Sequence, residues 1–330
     1  MQVGTAFSTN DDDCELENGK CEQNELERVE DDEKDSAPDQ AVGNFIRVGA
    51  FEVSNLNFDG FDAITCPVQW AQILNIRPVA HPMRILVRSS ERFHSKEGWL
   101  ETYWHFSFDH YYDRSNLGWG ALRVFNDDYI SPGGKFGLHP HANYEILTVM
   151  IGGEMEHRDD GGEGRPSGGS GASVRSGGHS GILGPCDVQA MSAGSGVFHS
   201  EANAGKIRTH SLQIWIEPEK KGGKPAWKSH AFKPSDLHNC LCPMVSGLPA
   251  VPAPLQIRQK AVVYRASLQA GHVIAHSFSG SHGYVFVISG ELKSGRDVLL
   301  SADSMKIKDE TKIGLAAGEN GADFILLDLP

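Results

Sequence analysis

From residue 83 onward the chain repeats one rhythm: a few residues alternating apolar and polar, then a turn. MRILVR (83–88), ETYWHFSF (101–108), LRVF (122–125), YEILTVMI (144–151), GVFHSEA (196–202), HSLQIWIE (210–217), AVVYRASL (261–268) and ADFILLDL (322–329) are all of strand length, and Gly, Pro, Asn and Asp separate them. Successive side chains of a strand point to opposite faces, so each run has one face for a core and one for its surroundings. Many such runs at roughly 8–12-residue spacing, with no long amphipathic helix among them, predict a β-sandwich or barrel. Helical turns are expected only in VQWAQIL (68–74) and near Pro234. The length of 330 residues leaves room for about two domains. No apolar run reaches the ~18 residues of a membrane-spanning helix, so no membrane span is expected.

Charge is concentrated at one end. The net charge is −13, and residues 1–42 hold 14 Asp or Glu against 3 Lys or Arg, so the rest of the chain carries only −2. That acidic head has little apolar surface to bury and is expected to be disordered. It has neither the basic and apolar regions of a signal peptide nor the Arg-rich, acid-poor character of a transit peptide. The near-neutral remainder gives no reason to expect direct nucleic-acid binding. Six cysteines, at 14, 21, 66, 186, 240 and 242, are too sparse for a disulfide framework and suit a reducing compartment. The cytoplasm is the expected location, with the nucleus as the alternative. Residues 159–181 are rich in Gly and Ser without apolar periodicity, and read as a flexible loop inserted between two strands. PEKKGGKP and GLPAVPAP interrupt the strand pattern near residues 218–260 and mark a second boundary. The expected order is a disordered head (1–42), a poorly defined extension (43–82), a first β domain (83–224) and a second (225–330).

Two stretches carry chemistry. In HPHANYE (139–145), His139 and His141 share a strand face, joined by Asn143 and Glu145 if the strand continues that far. In GSGVFHSEAN (194–203), His199 and Glu201 again share a face after a glycine-rich turn. Brought together, they offer three imidazoles and a choice of carboxylate, Glu145 or Glu201, which is a donor set for a transition metal. His157, just after the first motif, is a further candidate to face the same cavity. His238, Cys240 and Cys242 offer three ligand atoms with no evident fourth and read as ordinary loop and core groups. His105 and His110 lie among aromatics and read as structural.

Together the two motifs resemble the cupin pattern, including the spacing from His199 to Asn203. GWLETYWHFSFDHYYD (98–113), LGWGALRVFNDDYISPGGKFGLHPHANYEILTVMIGGEMEHRD (117–159), DVQAMSAGSGVFHSE (187–201) and LQIWIEP (212–218) look like the pirin family, and most like its bacterial-type quercetin dioxygenase members. The four blocks occur in the family's order, and the resemblance runs from about residue 85 to the C-terminus, more weakly in the second half. It implies an all-β bicupin fold: two double-stranded β-helix (jelly-roll) barrels, with metal only in the first. It also implies His139, His141, His199 and Glu201 as ligands. Iron(II) is the family's usual metal, and manganese, nickel, cobalt, copper and zinc are the alternatives. Glu145 matches a glutamate that the family generally does not use as a ligand. The implied reaction is O2-dependent cleavage of a flavonol such as quercetin, with ring opening and release of carbon monoxide, and with Glu201 both ligand and proton acceptor. A second reading is an iron-binding transcriptional co-regulator whose acidic tail meets protein partners. A third is a cupin acting on another small molecule. In HVIAHSFSGSHGYVFVISGEL (272–292) the histidines His272, His276 and His282 do not form a His-x-His pair, so the second barrel reads as one without metal ligands.

Overall fold

The protein is described by a computed structural model that covers residues 46–48, 51–53, 81–160 and 180–330. The acidic head, VQWAQIL and the interior of the Gly/Ser-rich segment lie outside these residues. The chain divides into two units, residues 1–78 and 79–330. In the first unit the described strands, Ile46–Val48 and Phe51–Val53, pair antiparallel. Among its described residues the second unit is almost entirely β, and the α-helix found there is the single turn Pro234–Leu237, where a helical turn is expected from the sequence.

Two sheets enclose the first barrel. One has four strands in the order Ser180–Leu183, Met155–Asp159, Val197–Ala202, Lys135–His141. The other has seven, in the order Ala226–Ala231, Asp187–Ser192, Glu145–Gly152, Thr209–Ile216, Leu122–Ile130, Leu100–Trp104, Phe93–Glu97. Period two then sorts the side chains. On Glu145–Gly152, Leu147 and Val149 point out of the barrel, while Ile146, Thr148 and Met150 point into it. The barrel interior is layered. Ile146, Met191 and Val197 form an apolar plug at one level, and Ile130, Met150, Met155 and Leu183 form another. Between them the inward positions are polar and buried: Asn126, Asp128, Thr148, His157, Gln189, His199 and Glu201. A buried polar layer is expensive unless its members are paired or serve a ligand.

The second barrel is a nine-stranded sheet dominated by two long antiparallel strands, His282–Ser294 and Lys312–Leu329. They turn a corner where Gly290 and Gly321 meet. Both have positive φ, and a Cβ on Gly290 would lie 2.1 Å from the Gly321 carbonyl oxygen, so only glycine fits there. Its interior is filled with Val262, Val285, Val287, Met305, Phe324, Leu326 and similar side chains. His276 faces Asp328 at 3.2 Å, and no group of metal-capable side chains is found among this barrel's described residues.

The outer face of the seven-stranded sheet packs on the second barrel through one continuous apolar core that includes Phe125, Leu147, Leu212, Val263, Phe286 and Leu327. ETYWHFSF is not a single strand. The strand ends at Trp104, and Phe106 turns into this shared core. His105 follows it there, as the structural role expected for it requires. Arg92 can only donate, so His105 Nε2 accepts at 3.3 Å and Nδ1–H donates to the Tyr284 hydroxyl. The division at residue 224 is also crossed in both directions. Met83–Val87 pairs with Ser304–Lys308 in the second barrel, and Ala226–Ala231 pairs with Asp187–Ser192 in the first.

Candidate metal centre

Val197–Ala202 lies between Lys135–His141 and Met155–Asp159. In this register His199 stands directly opposite His139, and Val197 opposite His141, so the three histidines share the inward face. A bulge between His199 and Glu201 shifts the pairing with the edge strand, while Glu201 sits opposite His157 on the other side. The ring centroids of His139, His141 and His199 are 4.4–4.7 Å apart. Their ligand atoms, one per residue, lie within 4.8 Å of one another, and those of His157, His199 and Glu201 do likewise. His199 thus belongs to two overlapping groups.

The protonation of these rings follows from their neighbours. His139 Nδ1–H donates to the Gly137 carbonyl at 2.7 Å, which leaves the Nε2 lone pair for the cluster. Burial, and secondarily the nearby His139, pushes His141 down to about 3. Burial also holds His199 well below the usual histidine range, reinforced by His139, His141 and His157. At neutral pH His141 and His199 therefore present lone pairs rather than charges. Both nitrogens of His199 are buried without a hydrogen-bond partner among the described residues. Each such orphan costs about 1–3 kcal/mol, and a cation bound through one of these nitrogens relieves the cost of that one. The donor set therefore fits a divalent transition metal.

Glu201 is held from the opposite sheet. Thr148 Oγ1 donates to its Oε1 at 3.3 Å, and Gln213 Nε2 donates to its Oε2 at 3.2 Å. His157, fully buried, accepts at Nδ1 from Gln189 Nε2 at 3.0 Å, and its Nε2 lies 3.5 Å from Asp159. Asp128, also on the inward face, is pushed up to about 7 by burial; its Thr102 hydrogen bond opposes the rise, and Asp127 and Glu201 add to it. Trp215 closes one side, 4.7 Å from His141 between ring centroids.

Glu145 is not part of this site. The strand carrying His139 ends at His141, and Asn143 turns the chain with φ +61. Glu145 opens the next strand on the face of Leu147 and Val149, where Ser192 Oγ donates to it. The structure thus gathers His139, His141 and His199, brings Glu201 and His157 to His199, and separates Glu145. His238, Cys240 and Cys242 form no metal-capable group among the described residues. Sequence reasoning missed Thr148, Gln189, Gln213 and Asp128. The signal available was a polar residue at an inward position of an otherwise apolar strand, such as Thr148 in YEILTVMI.

The family model Pirin matches residues 86–216, and the model for the quercetinase C-terminal cupin domain matches residues 249–329. A pirin-like protein of Caulobacter vibrioides is 38% identical over 233 residues, 70% of this chain and 93% of the relative. The quercetin 2,3-dioxygenase of Escherichia coli is 33% identical over 256 residues, 75% of this chain and 99% of the relative. The crystal structure of the bacterial pirin YhhW from Escherichia coli in complex with nickel(II) superposes with a TM-score of 0.66 at 32% identity, covering 75% of this chain and 99% of that one.

Proposed function

The chain belongs to the pirin family, and from that premise we propose that it is a metal-dependent dioxygenase that cleaves a flavonol-like substrate with O2. The observation that carries the reading is the buried histidine cluster, with both His199 nitrogens unpartnered and a carboxylate braced beside it. The relatives named as quercetin 2,3-dioxygenases and the nickel-bound pirin support it.

His139, His141, His199 and Glu201 would hold the ion, with iron(II) our first choice. A bound divalent ion would lower the pKa of a coordinated substrate hydroxyl and supply the redox partner for O2. The chain's own residues do the rest. His141 and His199, kept neutral by burial, are available as ligands without first losing a proton. Glu201 receives the substrate hydroxyl's proton at a carboxylate oxygen, and Thr148 and Gln213 fix where that oxygen points. The apolar plugs above and below the polar layer keep bulk water away from the reacting groups.

The test is to measure metal and turnover on one sample purified without chelators. About one ion per chain with O2-dependent quercetin loss is expected, and His141→Ala should abolish both. An intact ion with no turnover would reject the dioxygenase and favour the co-regulator reading. No ion after reconstitution would reject the site.

A further inference from the structure

A second polar site lies away from the histidines. On Leu100–Trp104 and Leu122–Ile130, Thr102 and Asp128 face the barrel interior, so Tyr103, Asp127 and Tyr129 face outward. There they help to line a crevice of about 530 Å³, bounded on its far side by Ser89, Ser90 and Ala302. That volume falls within the roughly 300–1,000 Å³ of small-molecule sites, which favour junctions of this kind.

The crevice offers more donors than acceptors to whatever enters it. Arg92, its side chain only 4% exposed, gives Nη1 to Asp127 at 2.9 Å and Nε to the Ser89 carbonyl at 3.3 Å, and its Cζ lies 4.6 Å over Tyr103. Arg208 gives Nη2 to Glu101, and its Cζ lies 4.6 Å over Tyr129. The two carboxylates are already occupied: Asp127 by Arg92 and His210, Glu101 by Arg208, Lys96 and His94. The hydroxyls of Tyr129, Ser89 and Ser90, Nη2 of Arg92, and Nε and Nη1 of Arg208, whose side chain is 46% exposed, make no hydrogen bond to another described residue and face the solvent of the crevice. Burial pushes the Tyr129 phenol up to about 12, so it remains a donor. Guanidinium groups cannot accept, and the stacked tyrosines hold both of them in place. A cation would find no spare carboxylate here, and an apolar ligand would leave the donors unpaired.

We propose that this crevice is a binding site for a small oxyanion that also carries hydroxyl groups, with Arg92 and Arg208 gripping the anion and Tyr129, Ser89 and Ser90 bonding its remaining oxygens. A hydroxycarboxylate and a phosphate ester share this chemistry, because both present several oxygen acceptors for single guanidinium N–H groups and hydroxyls.

The site is tested by titrating the full-length, metal-loaded protein with glycerate or inorganic phosphate at constant ionic strength, with chloride as the control. Amide NMR shifts of Ser89, Ser90 and Tyr129 report binding. Saturable shifts with one or both probes are expected, and the probe that saturates first identifies the anion. Arg208→Gln should weaken binding at least tenfold. Tyr129→Phe, which only removes a hydroxyl, should weaken it several-fold while metal content and thermal midpoint stay unchanged. Shifts no larger than those with chloride, or affinities unaltered in both variants, would overturn the proposal. Because quercetin turnover is not the readout, failure here is separate from failure of the dioxygenase reading.

Discussion

His105 lies fully buried between the two barrels, bonded to Arg92 on one side and Tyr284 on the other. Burial, with the adjacent Arg92 charge adding to it, pushes this histidine down to about 3, against about 6.5 in an unfolded chain. The sign follows. Between those values the unfolded chain binds a proton that the folded chain refuses. The stability contribution is therefore present above about pH 6.5 and is lost as pH falls toward 3. One such proton changes unfolding free energy by at most ~1.4 kcal/mol per pH unit. Urea unfolding of metal-free protein at pH 6.5, 5.5 and 4.5 should show a shallower pH slope for His105→Gln than for the parent chain. Equal slopes would mean that His105 does not titrate differently on folding.

At the scale of the strand, the site depends on how Val197–Ala202 is launched. Gly194 precedes it with φ +53, and a Cβ there would lie 2.3 Å from the Gly223 carbonyl oxygen. Gly194→Ala combines left-handed strain with a backbone clash and should cost about 1–3 kcal/mol. Because His199 and Glu201 ride on that strand, a lower thermal midpoint should be accompanied by lower metal content. A variant with full metal content and an unchanged midpoint would show that the turn relaxes freely. The same scale marks what could be read beforehand. His139 with His141, and His199 with Glu201, were legible because strand period two is a local property. The exclusion of Glu145 was not, because it depends on the chain leaving the strand after His141 and turning at Asn143. MRILVR reads plainly as a strand, yet nothing within six residues says which barrel it joins. Arg92 and Asp127 are 35 positions apart, and only the assembled sheet shows them paired.

For the whole molecule, the two barrels share one core, and burying each large apolar side chain in it contributes about 1.5–3 kcal/mol. Phe286 belongs to the second barrel but packs, tilted, against Phe125 of the first, with ring centroids 5.1 Å apart. Phe286→Ala should destabilise the protein by about 3–5 kcal/mol, although it lies in the barrel without ligands. Near-ultraviolet circular dichroism and metal release should then report one coincident unfolding transition, shifted down in the variant. Two separate transitions would show that the barrels melt independently. Loading with a divalent ion should raise the midpoint of the parent chain, because an ion bound only by the folded state stabilises it. In His141→Ala that rise should shrink or vanish, and an undiminished rise would place the ion elsewhere.

The crossing of Met83–Val87 into one barrel and Ala226–Ala231 into the other has a consequence for where the gene can be divided. A gene shortened to its chemically equipped half would encode a sheet missing its outermost strand and a stray segment whose partner had been deleted. Cutting the gene between the halves would therefore leave each product with an unpaired sheet edge, so the half without ligands is built into the half that carries the histidines.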